Sequence, residues 1–203
     1  MPGLFVTIEG IDRSGKTTQA RRLVDALGDD ALLVREPGGT PAGERIRALL
    51  KDPAATLGAR TEALLFAAAR AELVEAVIRP ALDEGRVVVS DRFLDSSLAY
   101  QGHARGLGED EVRRVNEWAT AALVPDLTVF LRIGPDAAAA RAGEADRFED
   151  EGLELQRAVA GAYERLAAAA PGRWQAIDAA RGPDEVHADV LALVSRARAG
   201  APG

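Results

Sequence analysis

Short apolar runs, rich in β-branched residues and closed by turn signals, alternate along the chain with stretches of helical period. Leu4 to Ile8 is continuously apolar rather than alternating, which predicts a strand covered on both faces, ending at Glu9-Gly10. After Lys16 a helix follows with Ala20, Leu23, Val24 and Leu27 on its inner side. Ala31 to Arg35 reads as the second strand, then a Pro-Gly-Gly turn, with Thr40 as N-cap of a helix from about Pro41 to Leu50. Past a polar break at Asp52-Pro53 and Gly58, the Ala- and Leu-rich stretch Thr61 to Leu82 has no glycine and predicts the longest helix, its last turn disturbed by Pro80. Arg86 to Ser90 is the third strand, Val124 to Ile133 contains the fourth, Trp174 to Asp178 is the fifth, and Glu185 to Arg198 closes the chain as a helix. This alternation is the signature of βαβ units, hence of the α/β class with a mostly parallel sheet. No repeat or linker marks a second domain, so residues 1–203 read as one unit.

Two stretches resist the alternation, and both carry charge. Ser90 to Gly102 lies just past the C-terminal end of a buried strand, where open α/β sheets hold their ligands. Arg141 to Asp150 is dense in charge and small residues between Ala-rich helical segments, which suits an exposed lid.

Composition narrows the class. The chain has 203 residues, enough for one domain to bury about 70% of its unfolded surface. It has no cysteine, so disulfides and zinc–thiolate sites are excluded and a reducing cytoplasmic setting is expected. The N-terminal apolar run is too short for a signal peptide or a membrane span. A net charge of -7 opposes non-specific contact with a nucleic-acid backbone, so any phosphate handled here must meet a local cluster of arginines.

The strongest local signal is Gly10, Gly15, Lys16 and Thr17, which satisfy Gly-x-x-x-x-Gly-Lys-Thr between the first strand and the first helix. Glycines let successive amides converge on a phosphate, and the helix N-terminus adds partial positive charge. Gly10, Ile11, Asp12, Arg13, Ser14, Gly15, Lys16, Thr17 and Thr18 are therefore candidate ATP-binding residues. Lys16 supplies a point charge for the β- and γ-phosphates, and the Thr17 hydroxyl a hard oxygen for Mg²⁺. Lys16 and Lys51 are the only lysines in an arginine-rich chain, which favours a functional reason for Lys16.

Around this loop the chain resembles the bacterial thymidylate kinases. The matching segments are GIDRSGKTT, REPGGT at 35–40, LLFAAAR at 64–70, SDRF and SSLAYQG across 90–102, PDLTVFL at 125–131 and ADRFE at 145–149. The resemblance implies a P-loop NTPase fold, with a central five-stranded parallel sheet flanked by helices on both faces and a short lid at about 141–150. It implies transfer of the ATP γ-phosphate to dTMP, giving dTDP for dTTP synthesis, with Mg²⁺ as cofactor and a homodimer as the usual assembly.

The resemblance also assigns roles, each beside a plainer reading. Asp12 would hold the dTMP sugar rather than face the nucleotide phosphates; a solvated loop acid is the alternative. Arg13 would lean over the transferring phosphoryl group as a built-in arginine finger, against a solvent-facing arginine. Arg35 and Arg92 would clamp the acceptor phosphate, against salt bridges to Glu36 or Asp91. Asp91 would hold Mg²⁺ directly or through water, against a helix cap. By sequence alone Phe66 is core; the resemblance has it stack on thymine, with Arg70, four residues on and on the same helix face, donating to a base carbonyl. Ser97, Tyr100 and Gln101 would line the other side, Tyr100 below the deoxyribose. In the lid, Arg141 and Arg147 are the only arginines, with Arg147 closing over ATP. Arg13, Lys16, Arg92 and Arg147 are thus the expected catalytic set, and His103 and His187, read as surface or loop residues, receive no role.

Two rival readings remain open at this point. A kinase for another nucleoside monophosphate would use the same chemistry with a different acceptor pocket. A non-enzymatic ATP-binding switch would lack an acceptor, which the arginines and Asp12 argue against. A regulatory GTPase is excluded, because the only asparagine, Asn116, is followed by Glu117 and Trp118 rather than by the guanine motif.

Overall fold

In the computed structural model, which describes residues 3–141 and 152–200, the five predicted strands form one sheet. They are β1 (Leu4–Glu9), β2 (Ala31–Arg35), β3 (Val87–Asp91), β4 (Leu127–Arg132) and β5 (Trp174–Asp178). All neighbours pair in parallel, in the order β2-β3-β1-β4-β5. β1 is fully buried along its length, as its unbroken apolar run requires of a central strand covered on both faces.

The helices divide into two layers. Helix α1 (Lys16–Leu27) packs on α9 (Pro183–Gly200), and together they cover the face bearing Val6 and Ile8. The opposite face carries Phe5, Thr7, Thr128 and Phe130. Phe5 meets Phe93 edge-on with ring centroids 4.9 Å apart, and Phe130 lies 5.7 Å from the ring of Tyr163 on α8 (Gly152–Ala169). Thr7 and Thr128 share a hydroxyl contact of 3.0 Å across β1 and β4, and Arg173 joins Thr128 to the buried carboxylate of Asp95.

Helix α2 (Pro41–Lys51) starts as predicted, with the Thr40 hydroxyl accepting from the Gly43 amide at 2.9 Å. The predicted long helix is helical without a break from 59 to 83, but not as one α-helix. It comprises α3 (Ala59–Leu73), a π-turn at Val74–Ile78 and α4 (Arg79–Asp83). The wide turn puts the Arg79 amide onto the Val74 carbonyl just before Pro80, which has no N–H to donate. As a single α-helix α3 is shorter than α8 or α9.

The stretch after β3 resolves into the short helix α5 (Leu94–Ser97) and a π-turn over Leu98–Ala104, leading to α6 (Glu109–Ala119). A short helix α7 (Pro135–Ala139) follows β4. His103 is exposed in the helical turn after α5, as the surface reading expects, whereas His187 is half-buried on α9, a correction for that residue. Of the predicted lid, only Arg141 lies among the described residues; Arg147 lies outside them. Among the described residues no helix is long and apolar enough to cross a membrane.

Candidate active site

The C-terminal ends of β1, β2 and β3 open into a cavity of about 860 Å³. Its floor is formed by Asp12 to Gly15, part of the loop that starts at Gly10, in which two glycines are sterically required. Gly10 has φ 148°, and a Cβ there would come within 2.7 Å of the Leu131 carbonyl. Gly15, at φ 99°, is the left-handed residue that starts α1. Arg13 also adopts positive φ, 60°, so the chain turns sharply between β1 and α1.

Lys16 is buried beneath this loop, its Nζ donating to the Ile11 carbonyl at 2.6 Å and to Ser14 Oγ at 3.5 Å. Burial, with the nearby Arg92 charge, pulls its ammonium down to about 8, against Asp12, Asp91 and Glu9. The Thr17 hydroxyl donates to Asp91 Oδ2 at 2.5 Å, joining the start of α1 to the end of β3. The guanidinium of Arg141 wraps the loop from outside, donating to the Arg13 and Ser14 carbonyls at 3.2 Å and to the Ala179 carbonyl at 2.5 Å. Arg13 donates in return to the Ala139 carbonyl at 3.3 Å and the Arg141 carbonyl at 3.5 Å, facing the end of α7. Ile11 and Gly10 stand behind the cavity wall: the Ile11 side chain is core, and the Gly10 carbonyl accepts from Arg92 at 3.4 Å.

Asp12 turns away from the phosphate loop toward the second half of the cavity. It accepts from Arg92, from Tyr100 at 2.9 Å and from Gln156 Nε2 at 2.7 Å. Burial would raise its carboxyl, but the Arg92 and Lys16 charges and these hydrogen bonds outweigh it and hold the group at about 2. Arg92 has φ 74° and spreads over the Tyr100 ring at 5.2 Å, so Asp12, Arg92 and Tyr100 form one connected wall. Neither salt bridge weighed from sequence forms: Arg92 pairs with Asp12 instead of Asp91, and Arg35 pairs with Glu44 instead of Glu36.

Glu36 is taken by Arg70. The Arg70 Nε donates to Glu36 Oε2 at 2.7 Å, Nη1 to Ser97 at 3.1 Å and to Asn116, and Nη2 to the Phe93 carbonyl at 3.1 Å, with Nη2 also 2.6 Å from Glu36 Oε2 in the ion pair. Phe66, one turn earlier on α3, remains half-exposed and lines the cavity with Arg70 and Ser97. Gln101 also reaches the lining, although its amide donates to buried Glu62 at 3.1 Å.

One cavity thus gathers the phosphate loop, Thr18, Arg35, Asp91, Arg92 and Arg141 with Asp12, Phe66, Arg70, Ser97, Tyr100 and Gln101. Sequence reasoning missed Arg47 on α2, which lines it too and donates to the Pro37 carbonyl at 2.8 Å. It also missed Ser96, which stands in the SSLAYQG segment but received no role, and Gln156 and Tyr163, which carry no motif and meet the site only through the packing of α8.

The thymidylate kinase family model matches residues 8–190, and so spans β1 to α9. The chain belongs to the thymidylate kinase family. A protein of Symbiobacterium thermophilum described as thymidylate kinase is 48% identical over 197 residues, covering 94% of this chain and 92% of that one. A thymidylate kinase of Deinococcus radiodurans is 45% identical over 199 residues, covering 95% of this chain and 97% of that one. Among solved structures, thymidylate kinase from Ehrlichia chaffeensis superposes with a TM-score of 0.79 at 31% identity, over 96% of this chain and 99% of that one. The family and this structural likeness make the parallel sheet described above a P-loop NTPase fold, as expected from the strand–loop–helix motif.

Proposed function

We propose that this protein transfers the γ-phosphate of ATP to dTMP, yielding dTDP, and that the cavity above is where it does so. Membership of the thymidylate kinase family carries the reading. The geometry supports it, because one cavity joins a phosphate loop to a second wall of arginines and a half-exposed aromatic, Phe66. A switch protein would need only the first of these.

In this reading the loop amides, Lys16 and Arg141 hold the donor phosphates, while Arg35 and Arg92 take the acceptor phosphate. Asp12 and Tyr100 fix the sugar. Because Asp12 stays ionised far below neutrality, it accepts hydrogen bonds throughout the working range. The acceptor phosphate is itself an anion near pH 7, so in-line attack needs alignment and positive charge more than a general base. Arg13, with Arg147 from the lid, supplies charge around the transferring group. Residues 1–203 act as one domain, and residues 141–150 as its lid, which excludes water when it closes.

Thr17 and Asp91 are the residues that would hold Mg²⁺. Their oxygens stand 2.5 Å apart beside the phosphate loop and are hard ligands. Among the described residues no group of three or more carboxylates or histidines forms a protein-only cage, which suits an ion completed by nucleotide phosphates and water. When bound, the ion would neutralise charge on the donor phosphates.

Phe66 is the expected stacking surface for thymine. Phe66→Ala should raise the KM for dTMP by roughly ten- to a hundredfold, from ~1–3 kcal/mol of base stacking, with kcat changing far less. Steady-state kinetics at saturating ATP checks this, and an unchanged KM would remove Phe66 from the acceptor pocket.

A homodimer is also part of the proposal. Leu49 on α2, Leu64 on α3 and Val115 and Trp118 on α6 are exposed large apolar residues on helices that pack side by side, with Trp118 87% exposed. Sedimentation should give twice the chain mass, and Trp118→Glu should shift it toward one; a monomeric wild type would overturn the assembly. A cytoplasmic location is part of the proposal, and a chain without cysteine agrees with a reducing compartment.

The deciding experiment is ATP turnover with Mg²⁺ against dTMP, dUMP, UMP, dCMP, AMP and no acceptor. Highest turnover with dTMP supports the reading. A higher rate with another monophosphate would keep the chemistry and displace the pocket roles of Phe66, Arg70 and Tyr100.

A further inference from the structure

Glu9, the last residue of β1, is buried under the acceptor wall and has no part in the mechanism above. Its carboxylate is nonetheless fully engaged. Oε1 accepts from the Phe93 amide at 2.8 Å, while Oε2 accepts from Ser96 Oγ at 2.7 Å and from the Tyr163 hydroxyl at 2.8 Å. Those two hydroxyls touch each other at 2.9 Å, and both face Arg92, whose Nη1 lies 3.1 Å from Ser96 and 3.4 Å from Tyr163.

We infer that Glu9 is a positioning residue for the acceptor site: it orients Arg92 through the hydroxyls of Ser96 and Tyr163 and pins the turn on which Arg92 sits.

The direction of the hydrogen bonds carries the argument. A hydroxyl has one proton to give. Burial and the nearby Asp95 charge push the Glu9 carboxyl up to about 7, against the pull of Arg92 and the two hydroxyls; in the ionised form both hydroxyl protons can go to Oε2, which turns the lone pairs of Ser96 and Tyr163 toward the Arg92 guanidinium, a group that can only donate. The acidic end of the relay therefore fixes its polarity at the other end. The backbone bond does separate work. Arg92 is a non-glycine residue at φ 74°, a conformation that persists only where its surroundings impose it, and the Phe93 amide held by Oε1 is the next peptide along. Three chain segments of no sequence proximity, the ends of β1 and β3 and the middle of α8, meet in this one contact set.

Glutamine at position 9 cannot reproduce the pattern in either orientation. If its amide nitrogen replaces Oε2, it donates to the hydroxyls and turns their protons against the Arg92 N–H. If the nitrogen replaces Oε1, it opposes the Phe93 N–H. Its shape is otherwise that of glutamate.

The inference rests on the proposed dTMP kinase reading, and the test separates the two. Glu9→Gln should raise the KM for dTMP about ten- to a hundredfold while the KM for ATP stays within about twofold, because only the acceptor side loses its alignment. Tyr163→Phe, which removes one relay hydroxyl and leaves Ser96 and the Phe93 amide on the Glu9 carboxyl, should raise the dTMP KM about threefold or more. The double variant should be little worse than Glu9→Gln alone, since both cut the same relay. A loss of folded protein would lower apparent kcat and leave both KM values where they were. The inference is overturned if the dTMP KM of Glu9→Gln stays at the wild-type value, if the ATP KM rises with it, or if the two single effects multiply. Should Glu9→Gln not fold, a wild-type dTMP KM in both Tyr163→Phe and Ser96→Ala would overturn it equally. Absence of wild-type turnover with dTMP would overturn the functional reading and this inference together.

Discussion

Lys16→Ala should lower turnover by about 10²–10³-fold while leaving the fold at least as stable as before. Removal of a preorganised charge from a developing phosphoryl anion costs on that order in kcat. The stability half of the expectation comes from the lysine's surroundings. Its ammonium is buried under the phosphate loop with Arg92 nearby, and its displacement to about 8 means that folding weakens the charged form relative to the unfolded chain. Its short hydrogen bond is to one backbone carbonyl, that of Ile11. Thermal melting should therefore show no fall in Tm for the variant, and steady-state kinetics should show the loss in kcat with a dTMP KM near that of wild type. Turnover within threefold of wild type would remove Lys16 from the chemistry and with it the mechanism proposed here.

The second large effect is of the opposite kind. Arg70→Ala should destabilise the protein by about 3–5 kcal/mol, the range for leaving one partner of a buried ion pair uncompensated. Arg70 is 1% exposed and its donors go to Glu36, Ser97, Asn116 and the Phe93 carbonyl. Glu36 is already strained electrostatically: burial raises its carboxyl against the pull of Arg70, and its Oε1 is buried without a hydrogen bond. Without the guanidinium, that carboxylate must take up a proton or admit water. Urea denaturation would read the loss directly. Adding Glu36→Gln to Arg70→Ala should recover part of it, because the residual cost is then a cavity and unmade hydrogen bonds rather than a buried charge. A loss below 1 kcal/mol would mean that Arg70 is held loosely and is available to a ligand. In the structure as it stands, donation from Arg70 to a base carbonyl requires one of its present acceptors, such as Ser97, to be displaced.

These two variants separate what one cavity wall does. Lys16 is a charge kept for a ligand, whereas Arg70 is first a joint between β2, α3, α5 and α6 and only then a candidate base contact. Family resemblance gave Arg70 the second role from its place four residues after Phe66. Nothing in the spacing indicated the first, since Glu36 and Asn116 lie 34 and 46 residues away in the chain.

Much of the molecule was legible in the order of its residues, for reasons that are local. An unbroken apolar run such as Leu4 to Ile8 has to be covered on both sides, and it became the central strand. Thr40 could cap α2 because its hydroxyl needs only the amide three residues on. The phosphate loop was readable because its function depends on missing side chains at Gly10 and Gly15 and on adjacent Lys16 and Thr17, all within one turn of backbone. What the sequence could not contain was the pairing of charges across the sheet edge. Arg92 had two plausible partners nearby, Asp91 and the acceptor phosphate, yet in the fold it meets Asp12, 80 residues earlier, because parallel β1 and β3 end side by side. Pro80 announced a disturbed helix, but the form of the disturbance, a π-turn that lets the chain run on unbroken into α4 beside β3, was visible only in the fold. Glu9 carried no motif at all. Its use became visible only when α8 brought Tyr163 and α5 brought Ser96 to the same carboxylate, because a hydrogen bond is fixed by position in space, and parallel strands set that position from residues far apart in the chain.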